Sequence, residues 1–402
     1  ITGGSGNDSI TLTGTNTATD TVSGGAGNDT ITFTTDLADA DVINGGDGTD
    51  TLVGDDGQIA GLTTANNVSN VEILKASTVL ATTLTTANVD SAITSVTLDA
   101  GSGGGTVVFG AGSNTLAMGG TSGTGALTVN DTGLATTDTL TINASTVDAF
   151  DGNAVAINGF ETVNLSTGTG TTTASQDVTT FNVTGDPDSA GIRTAVTLTL
   201  SGKGDFTNSG AITLGTDGSG TGTIDASAMT GAFVMSADAA GVTTITGGAG
   251  NDTIRGDSHA STLTGNAGDD TITGGAKSDT ISGGAGNDIF NLTEGGTAAS
   301  STADTITGGA GNDTFQGTDA VLDVTHVLNG GDGTDSIKLS DITAVTDDQL
   351  ENKTSIEVLT SAATGLAATV GTYAQTMGLT TITLAGTAAA GIADTVTLAA
   401  GL

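Results

Sequence analysis

Cysteine is absent, which excludes disulfides and thiolate metal sites. Basic residues are scarce: Lys and Arg total 7 against 44 Asp and Glu, a formal charge of −37. With so little to neutralise phosphates, nucleic acid is excluded as a partner, and the surplus of carboxylates points to bound cations instead. No apolar run is long enough to span a membrane, and no signal-peptide pattern is present. Tyr373 and nine Phe are too few for an aromatic platform that binds carbohydrate. Proline occurs once, at Pro187. Acidic chains poor in aromatics are often disordered. Here, however, 36% of residues are hydrophobic and only 13% charged. The apolar residues are mostly Val, Ile, Leu and Ala spaced by Thr, a composition that favours strands. The 402 residues suffice for two or more domains or one elongated repeat structure, and repetitive β-structure is expected.

What the chain has in quantity is glycine, 65 residues, and much of it is periodic. The hexapeptide G-G-x-G-x-D begins at Gly3, Gly24, Gly45, Gly247, Gly283, Gly308 and Gly330, each copy followed, one residue on, by an apolar residue. Degenerate copies begin at Gly256, Gly265 and Gly274, so five starts between 247 and 283 are spaced by nine. This is the G-G-x-G-x-D-x-U-x nonapeptide of calcium-binding parallel β-helices. No Lys or helix follows the glycines, as a phosphate-binding loop would need.

The spacing predicts the geometry. Six residues turn the chain and three form a strand, so nine make half a coil and eighteen return to the same edge. Copies at 247, 265 and 283 then stack on one edge and those at 256 and 274 on the other. Starts at 3, 24 and 45 suit one copy per coil, with Asp20-Thr21-Val22 and Asp41-Val42-Ile43 on the opposite half. A larger duplication lies above this. Gly45–Asp50 recurs as Gly330–Asp335, and Val71-Glu72-Ile73-Leu74 recurs at the same offset as Ile356-Glu357-Val358-Leu359. Four regions are expected: a calcium-binding β-roll over 1–60, a Thr/Gly/Ala-rich β-domain over 61–240, a second β-roll over 241–340, and the start of a second β-rich module over 341–402. The fold class is all-β, a calcium-bound parallel β-roll or β-helix with intervening β-solenoid or β-sandwich segments. Residues 59–94 and 341–378, richer in Ala and Leu, allow short helical turns. The chain opens inside a repeat, so it reads as part of a longer protein whose export signal lies elsewhere.

Coils stack about 4.8 Å apart, which puts the sixth-position aspartates of successive loops in a column. Two carboxylates about 5 Å apart repel by roughly 3 kcal/mol at an effective dielectric of 20. Such a column needs cations. Calcium suits it, because it takes six to eight oxygen ligands including carboxylates and carbonyls, and glycine lets those carbonyls turn inward. The candidate ligands are Asp8, Asp29, Asp50, Asp252, Asp270, Asp279, Asp288, Asp313 and Asp335, with Asp20, Asp41 and Asp304 as weaker ones on the opposite edge. Ser261 replaces Asp in the copy at 256, and Lys277-Ser278 disturbs the copy at 274, so the site between them is expected to be weak.

These motifs resemble RTX-type proteins exported by type I secretion. Three further stretches are similar to the lattice-forming domain of calcium-dependent bacterial surface-layer proteins. They are Thr223–Gly231 followed by Ile245–Asp252, the Gly-Gly-Asp-Gly-Thr-Asp block with its later apolar-Glu-apolar strand, and Gly159–Leu165. The resemblance implies a non-enzymatic protein of the bacterial cell surface, secreted unfolded and folded by external Ca²⁺. It further implies self-assembly into a lattice and an anchor to envelope glycan through a region outside this chain. The long-range duplication leaves a multi-module adhesin or extracellular filament as the alternative.

Other signals carry less. His259 and His326 read as structural, and no Ser-His-Asp or metalloprotease spacing occurs. Glu72, Glu161 and Glu357, which recur between apolar neighbours, are candidate calcium ligands, but outward-facing strand positions are the expectation favoured for them. Asn7-Asp8-Ser9 and Asn28-Asp29-Thr30 match a glycosylation acceptor only because the repeat generates the match. Arg193, Arg255 and the five Lys are candidates for lattice contacts.

Overall fold

The computed structural model describes residues 1–14, 18–63, 66–120, 125–133, 137–144, 149–150, 152–168, 175–185, 195–215, 222–235, 240–292, 303–318, 322, 324–340, 344–361, 367–384 and 395–398. Arg193 and Pro187 lie outside the described residues. The chain divides into two compact units, residues 1–219 and 220–402.

The strands follow from alternation. In Thr30–Phe33 the threonines are half-buried while Ile31 and Phe33 are fully buried, the period-2 pattern of a strand with one face in the core. In the first unit one face is built from Ser9–Leu12, Thr30–Phe33, Thr51–Gly54, Ile73–Ala76, Ser95–Leu98, Ser113–Met118, Thr139–Ala144, Thr162–Ser166 and Thr197–Gly202, each parallel to the next. The opposite side carries a sheet of Thr2–Ser5, Thr21–Ala26, Val42–Asp47 and Asn67–Ser69, and a second sheet running from Thr83–Thr85 through Leu127–Asp131 to Ile212–Leu214. The described strands between Asn67 and Leu214 therefore continue the parallel coils; of the two expected alternatives, the solenoid is found rather than the sandwich.

In the second unit Val242–Thr246, Thr262–Ala267, Thr280–Ala285, Thr305–Ala310 and Val327–Asp332 stack on one face. Thr253–Arg255, Thr271–Thr273, Ile289–Asn291, Thr314–Gly317, Ser336–Leu339, Val358–Ser361 and Thr381–Leu384 stack on another. Thr262 pairs with Thr280 and Thr253 with Thr271, the eighteen-residue coil expected from the nonapeptide. One expectation is corrected. Strands such as Thr280–Ala285 are six residues long and run through the first two glycines of the motif. These glycines pair with their counterparts in the next coil, Gly284 with Gly309, so the turn starts later than position one.

The core consists of rows of like side chains. Leu74, Val96, Leu116, Ile142, Leu165 and Leu200 pair in register through six coils and are buried. Ile254, Ile272, Phe290, Phe315, Ile337 and Leu359 form the equivalent row in the second unit, where the Phe290 and Phe315 rings stack with centroids 5.0 Å apart. Each buried aliphatic side chain contributes about 1.5–3 kcal/mol. The helices are short: Asp56–Gly61, Thr86–Val89 and Thr372–Met377, with a 3-10 turn at Asp347–Leu350. All fall at or beside the Ala/Leu-rich stretches. The duplication is structural as well. Val42–Asp47, Thr51–Gly54 and Ile73–Ala76 recur in the same order and spacing as Val327–Asp332, Ser336–Leu339 and Val358–Ser361.

Candidate metal centre

The motif's apolar eighth position faces the core, as Ile254 and Ile272 do, so the aspartate two residues before it is held at the coil edge immediately before a strand. There the stacked coils bring the predicted aspartates into columns. In the first unit the Asp8 N–H donates to Asp29 Oδ1 at 2.7 Å and the Asp29 N–H to Asp50 Oδ1 at 2.7 Å. In the second unit Asp252, Asp270, Asp288, Asp313 and Asp335 are linked the same way at 2.7, 2.9, 2.8 and 2.8 Å. Opposite edges carry shorter columns: Asp20 to Asp41 at 2.9 Å, and Ser261 to Asp279 to Asp304 at 2.7 and 2.9 Å.

Each such bond uses one carboxylate oxygen. The other, Oδ2, is buried without a hydrogen-bond partner in Asp8, Asp29, Asp50, Asp270, Asp279, Asp288, Asp313 and Asp335. Burial of an anionic oxygen without a donor is costly. Its consequence is visible in the ionisation of the column. Burial, reinforced by neighbouring carboxylates, pushes the Asp270 and Asp279 carboxyls from 3.8 up to about 7 and Asp313 up to about 6. Burial likewise raises Asp50, Asp288 and Asp335.

The remaining candidates differ. Asp252 is also buried, but Oδ1 accepts the Phe233 N–H at 2.8 Å and Oδ2 the Gly248 N–H at 2.6 Å. Asp41 accepts the Asp20 and Ala38 N–H groups, both at 2.9 Å. Asp304 Oδ2 lies 3.4 Å from His326 Nδ1, which also accepts the Asp304 N–H at 3.1 Å. Asp252 and Asp41 thus have partners at both oxygens, whereas the Nδ1 that accepts the Asp304 N–H has no proton left for Asp304 Oδ2.

The glycines make room for this. A Cβ on Gly283 would lie 2.1 Å from Asp288 Oδ2 and 2.7 Å from the Gly308 carbonyl oxygen. Gly284 has φ +119, a conformation that L side chains rarely adopt. In the degenerate copy Asn266 takes that place at φ 81, consistent with the tolerance of Asn for positive φ.

Four features escape the sequence reading. Glu72 and Glu357 are not at outward strand positions. The Asp50 N–H donates to Glu72 Oε2 and the Asp335 N–H to Glu357 Oε2, both at 2.8 Å, so each glutamate ends a column. Glu161, 7% exposed, does the same for the Asp138 N–H at 2.9 Å. The longer side chain spans the coil where the glycine loop stops, and the apolar-Glu-apolar pattern was its only signal. His326 ends the short column with a ring nitrogen. The fifth motif position forms an outer ladder: Asn251, Asp269, Asn287 and Asn312 Oδ1 accept the N–H of the next coil at 2.7–2.9 Å. Finally, Lys353 is 1% exposed and its Nζ donates to the His326 and Glu351 carbonyls at 3.1 Å, which removes it from the candidates for lattice contacts.

Among the described residues no group of three or more His, Cys, Asp or Glu side chains converges on a point. Two carboxylates per gap with backbone carbonyls as the other donors is an all-oxygen set, which fits calcium and excludes the soft-ligand metals. A comparison with protein families matches residues 14–32, 35–58, 239–263, 264–296 and 299–319 to the RTX calcium-binding nonapeptide repeat. No curated protein matches the chain. The copies ending in Asp8 and Asp335 lie outside the matched segments, yet their aspartates stand in the same columns. The matched repeats, the parallel coils and the stacked aspartates together support an RTX β-roll protein.

Proposed function

We propose that the chain is a structural, non-enzymatic protein of an extracellular bacterial surface layer, assembled and rigidified by calcium between its stacked loops. The observation that carries this reading is the row of eight buried Oδ2 atoms without a donor. Asp8, Asp29, Asp50, Asp270, Asp279, Asp288, Asp313 and Asp335 would hold the ions, and bound calcium supplies the positive charge that their oxygens lack. Asp252 and Asp41 would contribute only after giving up a present partner. The carboxylates hold adjacent coils at fixed spacing through their Oδ1 bonds, so charge neutralisation there stiffens a whole face.

The reading without catalysis is supported by both histidines. His259 Nδ1 is engaged by Asp257 Oδ2 at 2.8 Å and His326 by the Asp304 N–H; among the described residues neither ring is paired with a nucleophile. A chain that folds only outside the cell, where calcium is millimolar, would avoid premature assembly. The second reading, a multi-module adhesin or filament secreted by a type I system, draws support from the recurrence of three strands at one constant offset.

The test follows folding and particle size while calcium is titrated into chelator-treated protein, by circular dichroism and electron microscopy together. Gain of β-signal with ordered sheets at roughly millimolar calcium, the range of extracellular modules, supports the surface-layer reading. Folding without assembly moves the assignment to the adhesin or filament. Absence of any calcium response sinks both.

A further inference from the structure

Between residues 58 and 239 no repeat is matched, yet one acidic pair there shares the chemistry of the columns. Asp138 precedes the strand Thr139–Ala144 and is 1% exposed. Its Oδ1 accepts the Gly112 N–H at 2.6 Å and its own N–H donates to Glu161 Oε2 at 2.9 Å. Its Oδ2 is buried with no partner. Asp131 ends the strand Leu127–Asp131. Its Oδ1 accepts the Gly133 N–H at 2.9 Å, and its Oδ2 is also buried with no partner. Both residues stand against the same stretch of the preceding coil, Asp131 paired with Phe109 and Asp138 bonded to Gly112, and burial first, then Asp138, push the Asp131 carboxyl up to about 6.

Two neighbouring buried acceptors, each without a donor, need either a shared proton or a cation. We propose that Asp131 and Asp138 form a calcium site of their own, built without the G-G-x-G-x-D loop. Every protein atom offered is oxygen, and no His or Cys is at hand, which selects a hard cation. Asp131 is only half-buried, which leaves a side for the water that a calcium ion with few protein ligands keeps. Glu161 fixes the site indirectly, by holding the Asp138 main chain. In sequence the site is signalled by Asp138-Thr139-Leu140, the last part of the repeat without its glycines.

This site is independent of the repeat columns, and the experiment separates the two. Calcium bound per chain is counted by equilibrium dialysis of the whole protein at pH 7.5, for wild type, Asp131→Asn, Asp138→Asn, their double variant and Asp288→Asn. The expected result is one ion fewer in each single variant and the same single ion in the double variant, with the β-signal of the calcium-loaded protein retained. An unchanged count, or two ions lost in the double variant, overturns the proposal. Asp288→Asn reports on the columns alone, so its failure to change the count leaves this site standing. Should the Asn variants not fold, ¹³C-carboxyl spectra of aspartate-labelled wild type decide. A saturable calcium shift of the Asp131 and Asp138 signals supports the site. Continued titration near pH 6 in saturating calcium means a shared proton and overturns it.

Discussion

The Asp335 N–H donates to Glu357 Oε2 at 2.8 Å, and in the earlier copy of the duplicated segment the Asp50 N–H donates to Glu72 Oε2 at the same distance. In both places the chain just before the glutamate adopts positive φ, at Asn70 (54°) and Ser355 (51°). Their carbonyl oxygens press against Gly45 and Gly330, where a Cβ would come within 1.9 Å. The glutamate is thus the last rung of a column, placed by a left-handed residue that closes the loop beneath it.

Removing that rung has a defined cost. Glu357→Ala leaves the Asp335 N–H without its acceptor, which costs about 1–3 kcal/mol. Glu357→Gln keeps an acceptor and removes a charge that raises Asp335. In saturating calcium the Ala variant is expected to lose at least twice the stability lost by the Gln variant, read from urea denaturation. Equal losses would show that the charge, not the hydrogen bond, matters at this rung.

The columns also set a pH dependence. In the folded chain without calcium, Asp270 and Asp279 titrate near 7 and Asp313 near 6, against an ordinary value of 3.8. The folded state therefore holds protons that the unfolded state has released, and stability falls as pH rises from about 4 to about 7. In chelator the protein is expected to melt at higher temperature at pH 4.5 than at pH 8. With calcium the order reverses, because protons compete for the same oxygens and the calcium midpoint rises as pH drops below 7. A chelated protein that is more stable at pH 8 would remove the electrostatic argument.

How much of this is legible in the sequence depends on what sets each feature. The eighteen-residue coil, the column memberships of Asp252, Asp270, Asp288 and Asp279, and the long-range duplication are periodic, and a period is written in the chain. Saturation is not. Asp252 and Asp288 occupy the same motif position, yet Asp252 Oδ2 accepts the Gly248 N–H while Asp288 Oδ2 has no partner. Glu72, Glu161 and Glu357 are invisible for a related reason: at a strand start the side chain can turn along the column axis rather than out or in, and alternation records only the last two choices. Asp138 lacks the glycines that mark the motif, and its partner Asp131 stands seven residues earlier, at the end of a strand.

The two edges predict different responses to mutation. Asp270 is fully buried, accepts the Asp252 N–H and donates to Asp288, so its carboxylate serves two neighbouring gaps. Asp20 is half-buried and its N–H donates to Asp41, whose oxygens are both occupied. Asp270→Ala is expected to raise the calcium midpoint of folding several-fold more than Asp20→Ala, followed by circular dichroism. Equal effects on the midpoint would dissolve the distinction between these edges.

Glycine substitutions isolate the loop conformation from its charge. At Gly284 an alanine meets two penalties at once: φ +119, and a Cβ 2.0 Å from the Asn266 carbonyl oxygen. Neither can be relieved by a side-chain rotation, because the obstructing atom is backbone of the neighbouring coil. Gly61 has open space around its Cβ position and ends an exposed helical turn, so there an alanine is neutral or gains up to about 1 kcal/mol. Gly284→Ala is expected to cost several times more than a typical point substitution, which is about 1 kcal/mol, and to lower calcium affinity although no carboxylate is touched. If Gly284→Ala and Gly61→Ala had the same melting temperature and calcium midpoint, the close stacking of the loops would be wrong, and with it the placement of the free carboxylate oxygens between them.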